Sequence, residues 1–157
     1  MDRPRHEEFM VLALSLAREA LNQGDRPFGS VLVHRGRVVG KGRNRAITWN
    51  DPTRHGEILT IQEAAQQLGP TEFSEATLYT TCEPCPMCCG GIFWAGIHQV
   101  VLGARFTQLQ QFSTRLYQYR RYAIEMLRDM IGFKLDIVDG ILVPECEAIF
   151  REWESLR

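Results

Sequence analysis

The feature that most restricts the fold is an alternation along the chain of short β-branched runs with amphipathic helical stretches. A first helix is expected from about Arg5 to Asn22, where Phe9, Leu12, Ala13, Leu16, Ala17 and Ala20 form one apolar stripe. Gly24 follows where a left-handed cap would fit. Ser30–Val33 and Arg37–Val39 read as two strands joined by a turn at Arg35-Gly36. Asp51-Pro52-Thr53 precedes a second helix carrying Ile58, Ile61, Ala65 and Leu68, which Gly69-Pro70 ends. The remaining pattern predicts a strand over Ala76–Thr81, a helix from Cys85 to about Ala95 and a strand at Val100–Leu102. It then predicts a helix over Arg115–Arg128, a strand at Lys134–Val138, and a closing helix through Val143, Cys146, Ile149, Phe150 and Trp153. Such an order is satisfied by one sheet with helices on both faces, antiparallel at the opening hairpin and parallel where helical crossovers follow. At 157 residues, the chain is expected to form a single domain over residues 1–157.

Composition excludes several classes of function. Hydrophobic residues at 45% and charged residues at 24% argue against a disordered chain. Eighteen basic and nineteen acidic residues leave a net charge of -1, so no nucleic-acid partner follows from charge. No apolar run approaches the roughly 18 residues of a membrane span, and MDRPRHEEF lacks the apolar core of a secretory signal. A cytoplasmic protein is expected. Four of the five cysteines, Cys82, Cys85, Cys88 and Cys89, crowd into eight residues, and Cys146 stands alone. An odd, clustered set points to a metal or redox site rather than to disulfides.

Two short motifs define that site. His55-Gly56-Glu57 lies at one expected helix start and Pro84-Cys85-Pro86-Met87-Cys88 at another. Cysteines three apart on a helix lie about 60° from each other in projection, so two sulfurs can converge on one ion. A helix N-terminus favours their thiolate form, and Pro86 in the first turn sacrifices no hydrogen bond. With His55 as third ligand, a tetrahedral zinc keeps one position open for water. Glu57 reads either as a surface charge, as a fourth ligand, or as a proton shuttle beside that water. On a regular helix positions 55 and 57 point about 200° apart, which disfavours shared ligation. Three other readings fit the residues less well. An iron–sulfur run would need a further cysteine where Ile92 stands. A redox Cys85–Cys88 pair would leave His55 and Glu57 without a role. A structural zinc closed by Cys82 or Cys89 would need a sulfur that converges poorly on the site.

The spacing of these motifs resembles the signature of the zinc-dependent cytidine-deaminase-like superfamily over about Arg26 to Arg105. That resemblance implies a three-layer α/β/α sandwich around a five-stranded mixed sheet. It also implies hydrolytic deamination of an amino-substituted base, with Zn2+ held by His55, Cys85 and Cys88 and protons moved by Glu57. Within the superfamily, Arg26-Pro27-Phe28-Gly29, Gly42-Arg43-Asn44, Asn50-Asp51-Pro52-Thr53 and Ile92-Phe93-Trp94-Ala95 are most similar to bacterial guanine deaminases. The similarity implies that Phe28 stacks on the base and Asn44 binds its polar edge. It further implies that Trp94 lines the pocket, from the same chain or across a homodimer interface on the 85–95 helix. Gly56, where that group usually has alanine, and Leu78-Tyr79-Thr80-Thr81 are shared instead with fungal cytosine deaminases. The expected substrate is therefore a free nucleobase or nucleoside, guanine first and cytosine second. Transfer RNA is the third candidate, since bacterial adenosine deaminases share the motif and Arg115, Arg120, Arg121 and Arg128 could meet phosphates. Tyr117, Tyr119 and Tyr122 interleave with these arginines, which equally suits a helix whose arginines snorkel over a core.

Overall fold

A computed structural model describes residues 2–69 and 73–156. The elements run α1 (Arg3–Asn22), β1 (Gly29–His34), β2 (Arg37–Arg43), α2 (Gly56–Leu68), β3 (Ala76–Cys82) and α3 (Pro86–Ala95). They continue with β4 (Gln99–Ala104), α4 (Phe106–Leu109), α5 (Ile124–Ile131), β5 (Asp136–Val138) and α6 (Val143–Ser155). α2 ends at Leu68 with Gly69 as its C-cap, as expected, whereas Pro70 lies outside the described residues.

The sheet order is β2-β1-β3-β4-β5. β1 is antiparallel to both β2 and β3, while β3–β4 and β4–β5 are parallel. Four strands therefore share one direction, as helical crossovers require, and only β1 opposes them. The β1–β2 connection is a two-residue turn with positive φ at Arg35 (50°) and Gly36 (78°), the conformation whose twist matches a hairpin.

Alternation along the strands divides the core in two. Val31, Val33, Tyr79 and Val101 point to the layer of α1 and α6. Leu32, Leu78, Val100 and Leu102 point to the layer of α2, α3 and α5. The three-layer mixed-sheet expectation is met.

Two glycines set how closely helices seat on the sheet. A Cβ at Gly29 would lie 2.0 Å from the Ala13 carbonyl oxygen, so α1 rests directly on β1. A Cβ at Gly42 would lie 2.1 Å from the Gly56 oxygen and 2.6 Å from the Thr60 nitrogen. The first turn of α2 is thus pressed against the end of β2, and that contact sets the height of His55 and Glu57.

The C-terminal half departs from the sequence reading. Arg115–Arg128 is not one helix: helix begins only at Ile124, and residues 113–123 are irregular. Tyr117, Tyr119 and Tyr122 pack ring against ring at 4.6 and 4.8 Å, and Tyr119 meets Phe106 edge-on at 4.9 Å. Local carbonyls are taken by side chains instead of a helical ladder, with Gln118 Nε2 donating to those of Ser113 and Leu116 at 3.0 Å. The last strand is shorter than expected, Asp136–Val138, and the short helix α4 has no counterpart in the reading.

Candidate active site

Two helix N-termini on the same face of the sheet converge. His55 is the N-cap of α2 and Cys85 the N-cap of α3, each with extended backbone, and Pro86 begins α3. This places the positive ends of two helix dipoles around one point, a setting that stabilises thiolate and carboxylate. His55 Nδ1 lies 3.5 Å from Cys85 Sγ and 3.5 Å from Cys88 Sγ. All three potential ligand atoms fall within 4.8 Å of one another. Tetrahedral zinc bonded to nitrogen and sulfur at ordinary lengths separates those atoms by about 3.6 Å. One imidazole and two sulfurs at that spacing fit zinc, and the half-buried Cys85 opens toward a cavity.

The thiols are electrostatically coupled. Hydrogen bonding from Cys88, then from His55, holds the Cys85 thiol down at about 4. The same hydrogen bond to Cys85, then burial, holds Cys88 well above the usual thiol value. The same contact with Cys85 raises His55. Both sulfurs ligate as thiolates, so metal binding at this pair releases protons.

Glu57, in the first turn of α2, is only 4% exposed. Its Oε2 accepts from Cys88 Sγ at 3.4 Å and its Oε1 faces the Thr80 hydroxyl at 3.4 Å. Burial, followed by the Cys85 charge, raises its carboxyl above the ordinary value. Among the described residues it does not join the mutually close ligand set. Cys82 and Cys89 do not join it either. Cys82 is buried at the end of β3, and Cys89 Sγ turns away to the Tyr122 hydroxyl at 3.2 Å.

The adjoining cavity, of about 60 Å3, is lined by His55 and Cys85 together with Arg26, Phe28, Phe106 and Tyr119. Phe28 is half-buried and packs edge-on against Phe150 at 5.1 Å. Asn44, at the end of β2, is fully buried and donates its backbone N–H to the Phe28 carbonyl at 2.9 Å. Its side-chain Oδ1 accepts from Ala46, but Nδ2 has no partner. A buried amide donor without a partner is costly, and Asn44 is not itself among the residues lining the cavity. Gly56 is buried against the backbone of Gly42, Arg43 and Phe28 and is not among the residues lining the cavity.

Trp94 is not brought to this cavity. It is 95% exposed near the far end of α3, about 13 Å along the helix axis from Cys85. Sequence reasoning missed Tyr119 and Phe106 as lining residues. The interleaved tyrosines were the available signal, obscured by reading the segment as a helix.

Residues 3–104 match the family model of the cytidine and deoxycytidylate deaminase zinc-binding region. The chain belongs to this family. Its members act as hydrolases on C–N bonds, and zinc is the cofactor that the His55, Cys85 and Cys88 set fits. Guanine deaminase of Bacillus subtilis is 44% identical over 103 residues, 65% of this chain and 66% of that protein. The match thus spans just under two-thirds of that relative's length. tRNA-specific adenosine deaminase of Bacillus subtilis is 33% identical over 150 residues, 93% of this chain and 89% of that protein. The solved structure of guanine deaminase from Nitrosomonas europaea superimposes with a TM-score of 0.80 over 95% of this chain and 84% of that one. At 23% identity, that likeness bears on the deaminase fold alone. No helix among the described residues is long and apolar enough to cross a membrane.

Proposed function

We propose that this chain hydrolytically deaminates a free nucleobase or nucleoside, converting guanine to xanthine with release of ammonia. The observation that carries this reading is the buried Glu57 carboxylate beside the ligand set, next to a cavity walled by Phe28. The choice of guanine leans on the 44% identical relative and on the unpaired Asn44 amide, which suits a polar base edge.

When bound, zinc supplies Lewis-acid activation of a water molecule. The protein's own residues do the rest. Phe28 offers an aromatic face for the base, and Asn44 Nδ2 donates to an acceptor on its edge. Glu57 takes a proton from the attacking water and delivers it to the ring nitrogen beside the carbon under attack. It then passes the second proton to the departing amine, so water and substrate leave as the carbonyl product and ammonia. A carboxyl whose affinity for protons is raised by burial is suited to both halves of that transfer.

One observation favours a second reading, action on RNA. Arg120 and Arg121 are exposed along a groove that shares Tyr119 with the site cavity. Cations interleaved with aromatic faces suit a single strand. Ammonia release by zinc-loaded protein from guanine, cytosine, adenosine, cytidine, an aminated pterin or triazine, and transfer RNA separates the cases. Turnover of guanine above the others is expected, whereas turnover of transfer RNA alone would replace this reading with the second.

A homodimer through the exposed face of α3, where Met87 and Trp94 stand, would let Trp94 enter a partner's pocket. Light scattering is expected to give twice the 18.0 kDa chain mass, and a monomer would remove that role from Trp94.

A further inference from the structure

Between Cys82 and the ligand Cys85 stands a carboxylate that the proposed chemistry does not use. Glu83 is 2% exposed, and every partner it has is a donor. Its Oε1 accepts from Arg105 Nη1 at 3.0 Å and from the Ile124 backbone N–H at 2.9 Å. Its Oε2 accepts from the Phe106 backbone N–H at 3.1 Å. Arg105 is itself held by Glu125 at 2.8 Å and Asp139 at 2.8 Å, so it cannot swing away freely.

The two amides it holds are the ends of one stretch. The chain leaves the sheet at Ala104, forms the short helix α4 from Phe106 to Leu109, and after an irregular stretch returns to helix at Ile124. That stretch supplies Leu116, Tyr117 and Tyr119 to the wall of the site cavity, and Tyr119 leans on Phe106 itself. The Tyr122 hydroxyl also donates to the Pro84 carbonyl, beside Glu83. The cavity of about 60 Å3 has this stretch as one of its walls, so the position of the stretch sets the space beside His55 and Cys85.

We propose that Glu83 is a positioning residue that ties both ends of the 107–123 roof to the loop carrying Cys85, setting the roof's distance from the bound base. Its activity readout rests on the deaminase reading above; its exchange readout does not. A glutamine at this place turns an NH2 group toward an N–H donor and loses the Arg105 charge pair, which loosens the roof at both anchors. Roof contacts act on substrate and transition state alike, so their loss raises KM more than it lowers kcat.

The experiment compares zinc-loaded wild type with Glu83→Gln. Zinc content should stay near one per chain, KM for guanine should rise about tenfold, and kcat should change less than about threefold. Hydrogen exchange should speed up across residues 113–124 while α1 and β3 stay protected. Unchanged exchange in the roof overturns the proposal. So does zinc loss with a wild-type roof, which would make Glu83 a support for the metal alone. Should Glu83→Gln fail to fold, Arg105→Lys gives the same test, with the same direction expected and wild-type exchange overturning it. If wild type turns over nothing in the panel, the deaminase reading falls, and roof exchange alone decides the role of Glu83.

Discussion

Replacing Glu57 by alanine is expected to leave about one zinc per chain and to cut ammonia release by about 10²–10⁴-fold, the range of a positioned proton-transfer group. The geometry separates the two effects. Glu57 touches Cys88 Sγ at 3.4 Å without joining the three mutually close ligand atoms, so its removal spares the donor set. What it removes is the buried carboxylate that touches Cys88, for which the Thr80 hydroxyl is no substitute as a proton carrier. Elemental analysis and ammonia assay on the same preparation check both halves. A zinc-free variant would make Glu57 a ligand and end its role as shuttle.

Cys85→Ser or Cys88→Ser should lose zinc, and with it all measurable turnover. Each removes a thiolate from a set of three, so the drop in zinc affinity should exceed the roughly 10–100-fold seen when only a ligand's outer hydrogen-bond partner is removed. Cys82→Ser and Cys89→Ser should keep their zinc, because Cys82 ends β3 inside the core and Cys89 faces Tyr122 and Pro84. A stability loss of about 1–3 kcal/mol from a buried hydroxyl in either is compatible with full metal content. Metal loss in Cys82→Ser or Cys89→Ser would revive a closed, structural site.

These contrasts follow the distinction between local and distant information. Cys85 and Cys88 could be placed together from spacing alone, because three positions of chain keep them close even though Cys85 is the extended N-cap and only Cys88 lies within α3. His55 and Glu57 needed a further condition. A regular helix would set them about 200° apart, but His55 is an N-cap with extended backbone, and only Glu57 sits in the helix proper. The two side chains therefore reach the same place from different backbone conformations, with Gly42 fixing how far the helix start is pressed onto β2. Asn44 could be singled out as a polar residue closing a strand. Its unpaired Nδ2 could not, because that depends on what surrounds it in space.

The sequence by itself determined the α/β alternation, the hairpin turn, the starts of the two helices that carry the motifs and the motifs themselves, all set by contacts within a few residues. Only the tertiary structure decided that β1 lies between β2 and β3, that residues 113–123 form a roof instead of a helix, and that Trp94 faces outward. The physical reason is the range of the forces involved. Helical and turn periodicity is written in neighbouring residues, whereas the roof is held by Glu83 to Ile124, 41 positions away, and by tyrosine rings packed on Phe106. Helix propensity in Arg115–Arg128 is weak enough for those distant contacts to override it.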